Sequence, residues 1–199
     1  MGSDPSSLER LIRRHHQRGE LKEAATAAIE GFGPEVLGFL AAVMKDEPAA
    51  GEVFTQLCEE LWARIGSFSG ETSFRAWLYS LAWTGWQRLR REPNFRKTVS
   101  LPEHDESGAE PPFRTLELPR TGSALEEQAA RLRKTLAPED HALLILRIDR
   151  QMSWDDIAVA MLAPEDHRNR EAVRQKTAEL ESRFLAVTDE LQRLARKPV

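Results

Sequence analysis

The sequence predicts an all-α protein of two small helical domains joined by an acidic, flexible linker. Three observations carry that prediction. Apolar residues recur every three or four positions in one segment after another, as amphipathic helices require. Prolines and short polar residues punctuate those segments at their starts and ends. From Asn94 to Gly122 the periodicity stops, because Pro102, Pro111, Pro112 and Pro119 break any regular element. Seven acids between Glu103 and Glu127 stand there against Arg114 and Arg120, a local charge of −5 that suits a tether and not a core.

The elements follow in order. Residues 8–30 read as amphipathic helix, from Leu8 through Ile12 to Ile29, with Gly19 as a break. Gly33-Pro34 reads as a new start, since proline suits a helix's first turn, with Val36, Leu37, Leu40, Val43 and Met44 inward. Pro48 ends that unit. A helix over residues 50–65 buries Val53, Phe54, Leu57, Leu61 and Ile65 and exposes Glu52, Gln56, Glu59 and Glu60. Ser73 caps the next helix, which can run to Pro93. Beyond the linker, Leu125–Leu136 reads as helix, and Pro138 opens another that buries Leu143, Leu144, Ile145, Leu146 and Ile148. Ser153 and Asp156 match a capping box ahead of Ile157, Ala158 and Leu162. Ala163-Pro164 breaks that short helix and a basic one begins near Asn169, the outline of a helix-turn-helix.

Composition narrows the function classes. A chain of 199 residues makes one large or two small domains, and 41% hydrophobic with 30% charged content fits a soluble, largely helical protein. No apolar run approaches the roughly 18–20 residues that span a bilayer, and the start lacks a signal-peptide apolar region, so no membrane insertion is expected. The single Cys58 has no internal disulfide partner and reads as a buried thiol, which points to the cytoplasm. The five histidines lack metal-ligand spacing, and neither a phosphate-cradling glycine loop nor a nucleophile motif occurs. Asp155 and Asp156 sit at a helix start, where acids complement the helix dipole. No enzyme, metal or cofactor is expected.

The stretch FSGETSFRAWLYSLAWTGWQRLRRE, Phe68 to Glu92, carries the strongest functional signal. Phe74, Leu78, Leu81, Gly85 and Leu89 share one helical face, with Trp77 on its shoulder, and make an ordinary core stripe. Tyr79, Trp83, Trp86 and Arg90 line the opposite side, although one amphipathic helix needs only one apolar face. Either a second layer covers those aromatics, or they form a platform on which bases stack at roughly 1–3 kcal/mol each. Charge favours the platform. From Trp62 to Lys97 seven basic residues (Arg64, Arg75, Arg88, Arg90, Arg91, Arg96 and Lys97) meet two acids, a local +5 in a chain of net −4.

Three segments in this order resemble the extracytoplasmic-function sigma factors, small two-domain initiation subunits of bacterial RNA polymerase in the sigma-70 family. FSGETSFRAWLYSLA is similar to that family's F-r-G-e-s-s-F-r-t-W-L-y-r-I-A and is the most specific. AAGEVFTQLCEELWARI resembles the preceding polymerase-binding helix, and LAPEDHALLILRIDRQMSWDDIAVAML the opening of the promoter-binding domain. The resemblance covers residues 27–97 and 125–185. It implies four parts: a helical extension at 1–26, a region 2-like domain at 27–97, the acidic linker at 98–124, and a region 4-like helix-turn-helix domain at 125–199 with a long final helix.

What the resemblance implies can be stated residue by residue. Glu52, Gln56, Glu59, Glu60 and Arg64 would bind the polymerase, whose β′ clamp helices and β flap are the expected contacts. Tyr79, Trp83, Thr84, Trp86, Arg88, Arg90 and Arg91 would hold the opened minus-ten strand. Arg168, Arg170, Arg174, Gln175 and Lys176 would read the minus-thirty-five duplex. The linker would thread toward the RNA exit path. An anti-sigma factor is a further expected partner. The sequence departs from the family pattern at Thr55, where Gln is usual, and at Trp83-Thr84, where Arg-Asn is common. Its helix-turn-helix connection, APEDHRNREA, is about four residues longer.

Two other readings stand beside this one. Val173, Thr177, Leu180, Phe184, Val187, Leu191 and Leu194 alternate four and three residues, a coiled-coil spacing that would suit a dimeric helix-turn-helix regulator. Against it, the first half of that helix can pack within the domain and leave only Val187 onward as surplus. A diverged sigma-like protein that binds polymerase or an anti-sigma factor without opening promoters is the third.

Overall fold

The computed structural model describes residues 4–92 and 135–196, and every regular element among them is helical. The first unit comprises α1 (Pro5–Gln17), α2 (Leu21–Met44), α3 (Glu47–Arg64) and α4 (Phe74–Arg91). The second comprises α5 (Pro138–Leu144), α6 (Trp154–Met161) and α7 (Arg170–Arg196). A wide turn at Ile145–Asp149 prolongs α5, and 3-10 turns at Ile65–Ser67 and Pro164–Asp166 follow α3 and α6. The expected acidic linker, nearly all of the expected 125–136 helix, and Arg96 and Lys97 lie outside the described residues.

Local chemistry sets the boundaries. The first backbone amides of a helix have no intrahelical acceptor, and short polar side chains supply one. Asp46 Oδ1 accepts from Ala49 N at 2.9 Å, Ser73 Oγ from Ala76 N at 3.0 Å and Ser153 Oγ from Asp156 N at 3.1 Å. Asn169 Oδ1 accepts from Ala172 N at 3.1 Å and so starts α7. Gly19, at φ +74°, makes the expected break between α1 and α2.

Two proline readings are corrected. Pro34 lies inside α2, which runs unbroken from Leu21 to Met44. An internal proline forfeits one hydrogen bond, to the carbonyl four residues earlier. Both Pro34 and Glu30 are solvent-exposed, so water can reach that carbonyl while the opposite face stays packed. Pro48 opens α3 from its first turn and does not end the unit before it; α2 stops at Lys45, in the left-handed region at φ 57°.

α2 also corrects the reading of apolar length. By length and a mean hydropathy of 1.4 it could cross a membrane, although its sequence is interrupted by polar residues. In the fold it is a core helix: Ala24, Ala25, Ala28, Phe32, Val36, Phe39, Leu40, Val43 and Met44 are buried against α1, α3 and α4. Small residues let the helices approach closely. A Cβ on Gly85 of α4 would sit 3.2 Å from Val53 Cγ1 of α3.

The two units share one continuous core. α6 runs along α4, and α5 rests on α2. The buried cluster therefore extends from Ile12, Phe32 and Phe74 in the first unit to Leu143, Ile157 and Leu180 in the second.

Candidate functional site

α4 is the centre of the molecule. Its first face does what the periodicity predicts: Phe74, Leu78, Leu81, Gly85 and Leu89 are buried in the first unit, and Trp77 packs on Phe68 and Phe74. Its second face is buried too. Tyr79 is 0% exposed and Trp83 and Trp86 are each 4% exposed, with α6 lying along this helix. A helix apolar on all sides belongs inside a protein, and here a second layer covers the aromatic stripe. In this arrangement those three rings are not presented to a ligand. Thr84 is half-buried beside them, whereas Arg88, Arg90 and Arg91 project into solvent.

Polar groups frame that covered stripe. Arg75 Nε and Nη2 donate to Glu35 Oε1 and Oε2 at 2.7 and 2.9 Å, a bidentate pair between α4 and α2. Burial pulls the Arg75 guanidinium down, but its hydrogen bonds and charge pairing with Glu35 hold it above its ordinary value. Arg75 Nη1 also donates to the carbonyl of Arg150 at 3.2 Å, and Arg150 Nη2 donates to that of Glu35 at 3.3 Å. Burial pushes the Tyr79 phenol far above its ordinary value and the Glu35 carboxylate adds to it, against Arg150 and Arg75. At the far end Arg90 lies 5.7 Å from the Trp86 ring centroid and pairs with Glu139 at 2.5 Å.

The outer face of α3 is open. Glu52, Glu59 and Arg64 are exposed, and Gln56 and Glu60 are half-buried. Glu60 pairs with Arg64 at 3.3 Å, and Gln56 Oε1 accepts from Arg88 at 3.2 Å, which ties this face to the basic end of α4. Trp62 belongs to the same face and is 47% exposed, the only tryptophan so placed. Sequence reasoning placed it beside the site without assigning it. Its signal was its offset from the buried Leu57–Leu61 row.

The duplex-reading candidates gather at the start of α7. Arg168, Arg170, Arg174 and Gln175 are exposed and Lys176 is half-buried. Several are engaged on their own helix: Gln175 donates to Glu171 at 3.0 Å, Arg174 lies 3.5 Å from the same carboxylate, and Lys176 pairs with Glu179 at 2.9 Å. Arg168 lies 3.9 Å from Glu71 in the first unit. The helix behind them is held by Trp154 edge-on to Phe184 and by Thr177 donating to Asp155 at 3.2 Å. Along the expected coiled-coil row, Leu180 and Val187 are buried within the unit, while Leu185 and Leu194 are exposed on α7. Cys58 is half-buried, and burial followed by the neighbouring Glu59 charge pushes its thiol up.

No family model matches this chain. Over 156 residues it is 27% identical to the RNA polymerase sigma-H factor of Pseudomonas aeruginosa, an alignment covering 74% of this chain and 79% of that protein. This chain resembles a sigma factor. The alignment is longer than either helical unit, so the likeness extends to both. The three candidate surfaces of α3, α4 and α7 lie on those two units.

Proposed function

We propose that this protein is a sigma factor of the sigma-70 family, of the extracytoplasmic-function type, that binds core RNA polymerase and directs transcription initiation from the cytoplasm. The observation that carries this reading is the 27% identity over 156 residues to a sigma factor, spread across both helical units. The geometry supports it in two places. α3 offers the polymerase an exposed, acid-rimmed face with a tryptophan in it, and α7 offers duplex DNA an exposed row of arginines at its amino end.

In this reading Glu52, Gln56, Glu59, Glu60 and Arg64 bind the β′ clamp helices. Arg168, Arg170, Arg174, Gln175 and Lys176 read the minus-thirty-five element, with the second unit near the β flap. Tyr79, Trp83, Thr84 and Trp86 hold the opened minus-ten strand, with Arg88, Arg90 and Arg91 along its phosphates. The protein has no catalytic role of its own, and an anti-sigma factor is a natural regulator.

Run-off transcription with core polymerase on a promoter library tests the proposal. Specific transcripts that depend on the protein are expected. Co-elution with core polymerase without transcripts would mark the diverged, non-opening class. A dimer that binds duplex DNA and ignores core polymerase would mark the helix-turn-helix regulator.

A further inference from the structure

The proposed function and the fold make opposite demands on one surface. Bases can stack on Tyr79, Trp83 and Trp86 only when those rings meet solvent, yet each is at most 4% exposed beneath the second unit. We propose that the structure is a self-masked state, in which α6 and the loops around it occupy the strand-binding face of α4 until core polymerase draws the units apart. This inference rests on the proposed function for its consequence, but the mask itself is a physical property of the chain alone.

Three features distinguish this seam from a permanent core. Its ties between units are polar and lie at the rim: Ser73 Oγ donates to Asp156 Oδ1 at 2.7 Å, Arg75 reaches the Arg150 carbonyl, Arg150 reaches the Glu35 carbonyl, and Arg90 pairs with Glu139. Such groups regain water on separation, so breaking them costs little net. Beneath the rim, the Tyr79 hydroxyl and Arg150 Nε are buried without a protein hydrogen-bond partner, a mismatch that weakens the closed form. Finally, the units are joined through residues 93–134, a length of chain that reaches on the order of 100 Å when extended, so they can part without either unfolding.

The mask also engages the cation that the open strand would need. Arg90, placed along the strand phosphates in the proposed function, is held by the Glu139 carboxylate, which here occupies the place of an anion. Glu71 stands similarly near Arg168. The closed form thus covers the aromatic face and neutralises part of its basic rim with acids of the same chain. Displacement by a nucleic-acid strand exchanges one anion for another.

Hydroxyl-radical footprinting of the full chain, read tryptophan by tryptophan, tests this directly, with Trp62 as the exposed internal reference. In the wild-type chain alone, Trp83 and Trp86 are expected to oxidise far more slowly than Trp62. The double variant Glu139→Arg, Asp156→Ala should raise their rates about fivefold, because it shifts the population toward the open form. Adding Arg90→Glu restores the pair with reversed polarity and should return protection, which separates opening from unfolding. Core polymerase without DNA should also raise both rates in the wild type. Wild-type Trp83 and Trp86 that react like Trp62 would overturn the mask. So would protection that persists in the double variant, or in a polymerase complex that goes on to open a promoter. A chain that ignores polymerase but responds to the variants and the swap would support the mask and remove the initiation reading instead.

Discussion

Glu9 caps α4 from sixty-five residues away: its Oε1 accepts from the Phe74 amide at 2.6 Å, and its Oε2 accepts from Arg75 N at 3.1 Å. Arg13, paired with Glu9 at 2.8 Å, donates to the carbonyls of Gly70 and Thr72 in the loop before that helix. The amino-terminal helix thereby fastens the FSGETSF segment, and a negative charge meets the positive end of the α4 dipole. Glu9→Ala should cost about 1–2 kcal/mol of stability, as loss of a half-buried cap does, and should be measurable by urea unfolding. Glu9→Gln should recover only part of that, since the amide carries no charge.

The exposed face of α3 carries the second prediction. Trp62→Ala should leave the unfolding midpoint nearly unchanged, because the ring is half in solvent, but should weaken core-polymerase affinity by about 2 kcal/mol if it anchors that interface. Charge reversal of Glu59 and Glu60 together should slow association and make binding more sensitive to salt. Titration of labelled protein with core polymerase at two salt concentrations reads both. Wild-type affinity in all these variants would remove α3 from the contact.

A third prediction concerns Glu171, which holds Gln175 and lies beside Arg174 on α7. Each good bidentate pair between such a side chain and a base edge is worth roughly 1–3 kcal/mol. Arg174→Ala and Gln175→Ala should each lose about that much at one promoter position. Glu171→Ala removes the competing carboxylate and one negative charge, so duplex affinity should rise several-fold across all sequences and specificity should fall. Electrophoretic titrations on matched and scrambled promoters separate the two effects.

Acid should loosen the helix-turn-helix joint through His167. Burial drives this imidazole below its ordinary value, against the favourable carbonyls of Leu162 and Val159 and the nearby Asp166 and Glu165 charges. Its Nε2 lies 3.4 Å from the Leu162 carbonyl oxygen. A histidine lowered in the folded state favours folding in its neutral form. Its contribution is complete above the ordinary histidine value of about 6.5 and is lost as pH falls through the lowered one. Thermal melts between pH 7.5 and 5 should therefore show a decline that His167→Gln flattens.

How much of this was legible follows from where each signal resides. Ser73, Ser153 and Gly19 act on their own neighbours, so their caps and break could be read from adjacent residues. Pro34 misled because a proline's local preference is overridden where packing holds the helix and water reaches the freed carbonyl. The Glu9 cap was invisible, since it joins residues that only the tertiary fold brings together. The stripe of Tyr79, Trp83 and Trp86 showed that α4 has two apolar faces, but hydrophobic spacing records only that a face is to be covered. Whether protein or nucleic acid covers it is decided by the second unit, which packs α6 there. Trp62 went unassigned for a related reason: one exposed aromatic carries no periodicity.

The burial of the aromatic stripe changes what its substitution should do. With bare helix periodicity, Trp83→Ala and Trp86→Ala would be expected to lower promoter opening while leaving the free protein intact. Both rings are almost wholly enclosed, and truncating an enclosed tryptophan leaves a cavity worth about 3–5 kcal/mol. The free chain should therefore melt at a lower temperature in either variant, and the loss should fall mainly on the contact between units. Hydrogen exchange resolves where it falls: α5 and α6 should exchange faster, while α2 and α3 keep near-native protection because their own core is untouched. Permanganate reactivity of promoter thymines, scored with polymerase saturated by each variant, then isolates any stacking role. A variant that destabilises the contact between units yet melts promoters like wild type would leave the two tryptophans as packing residues alone.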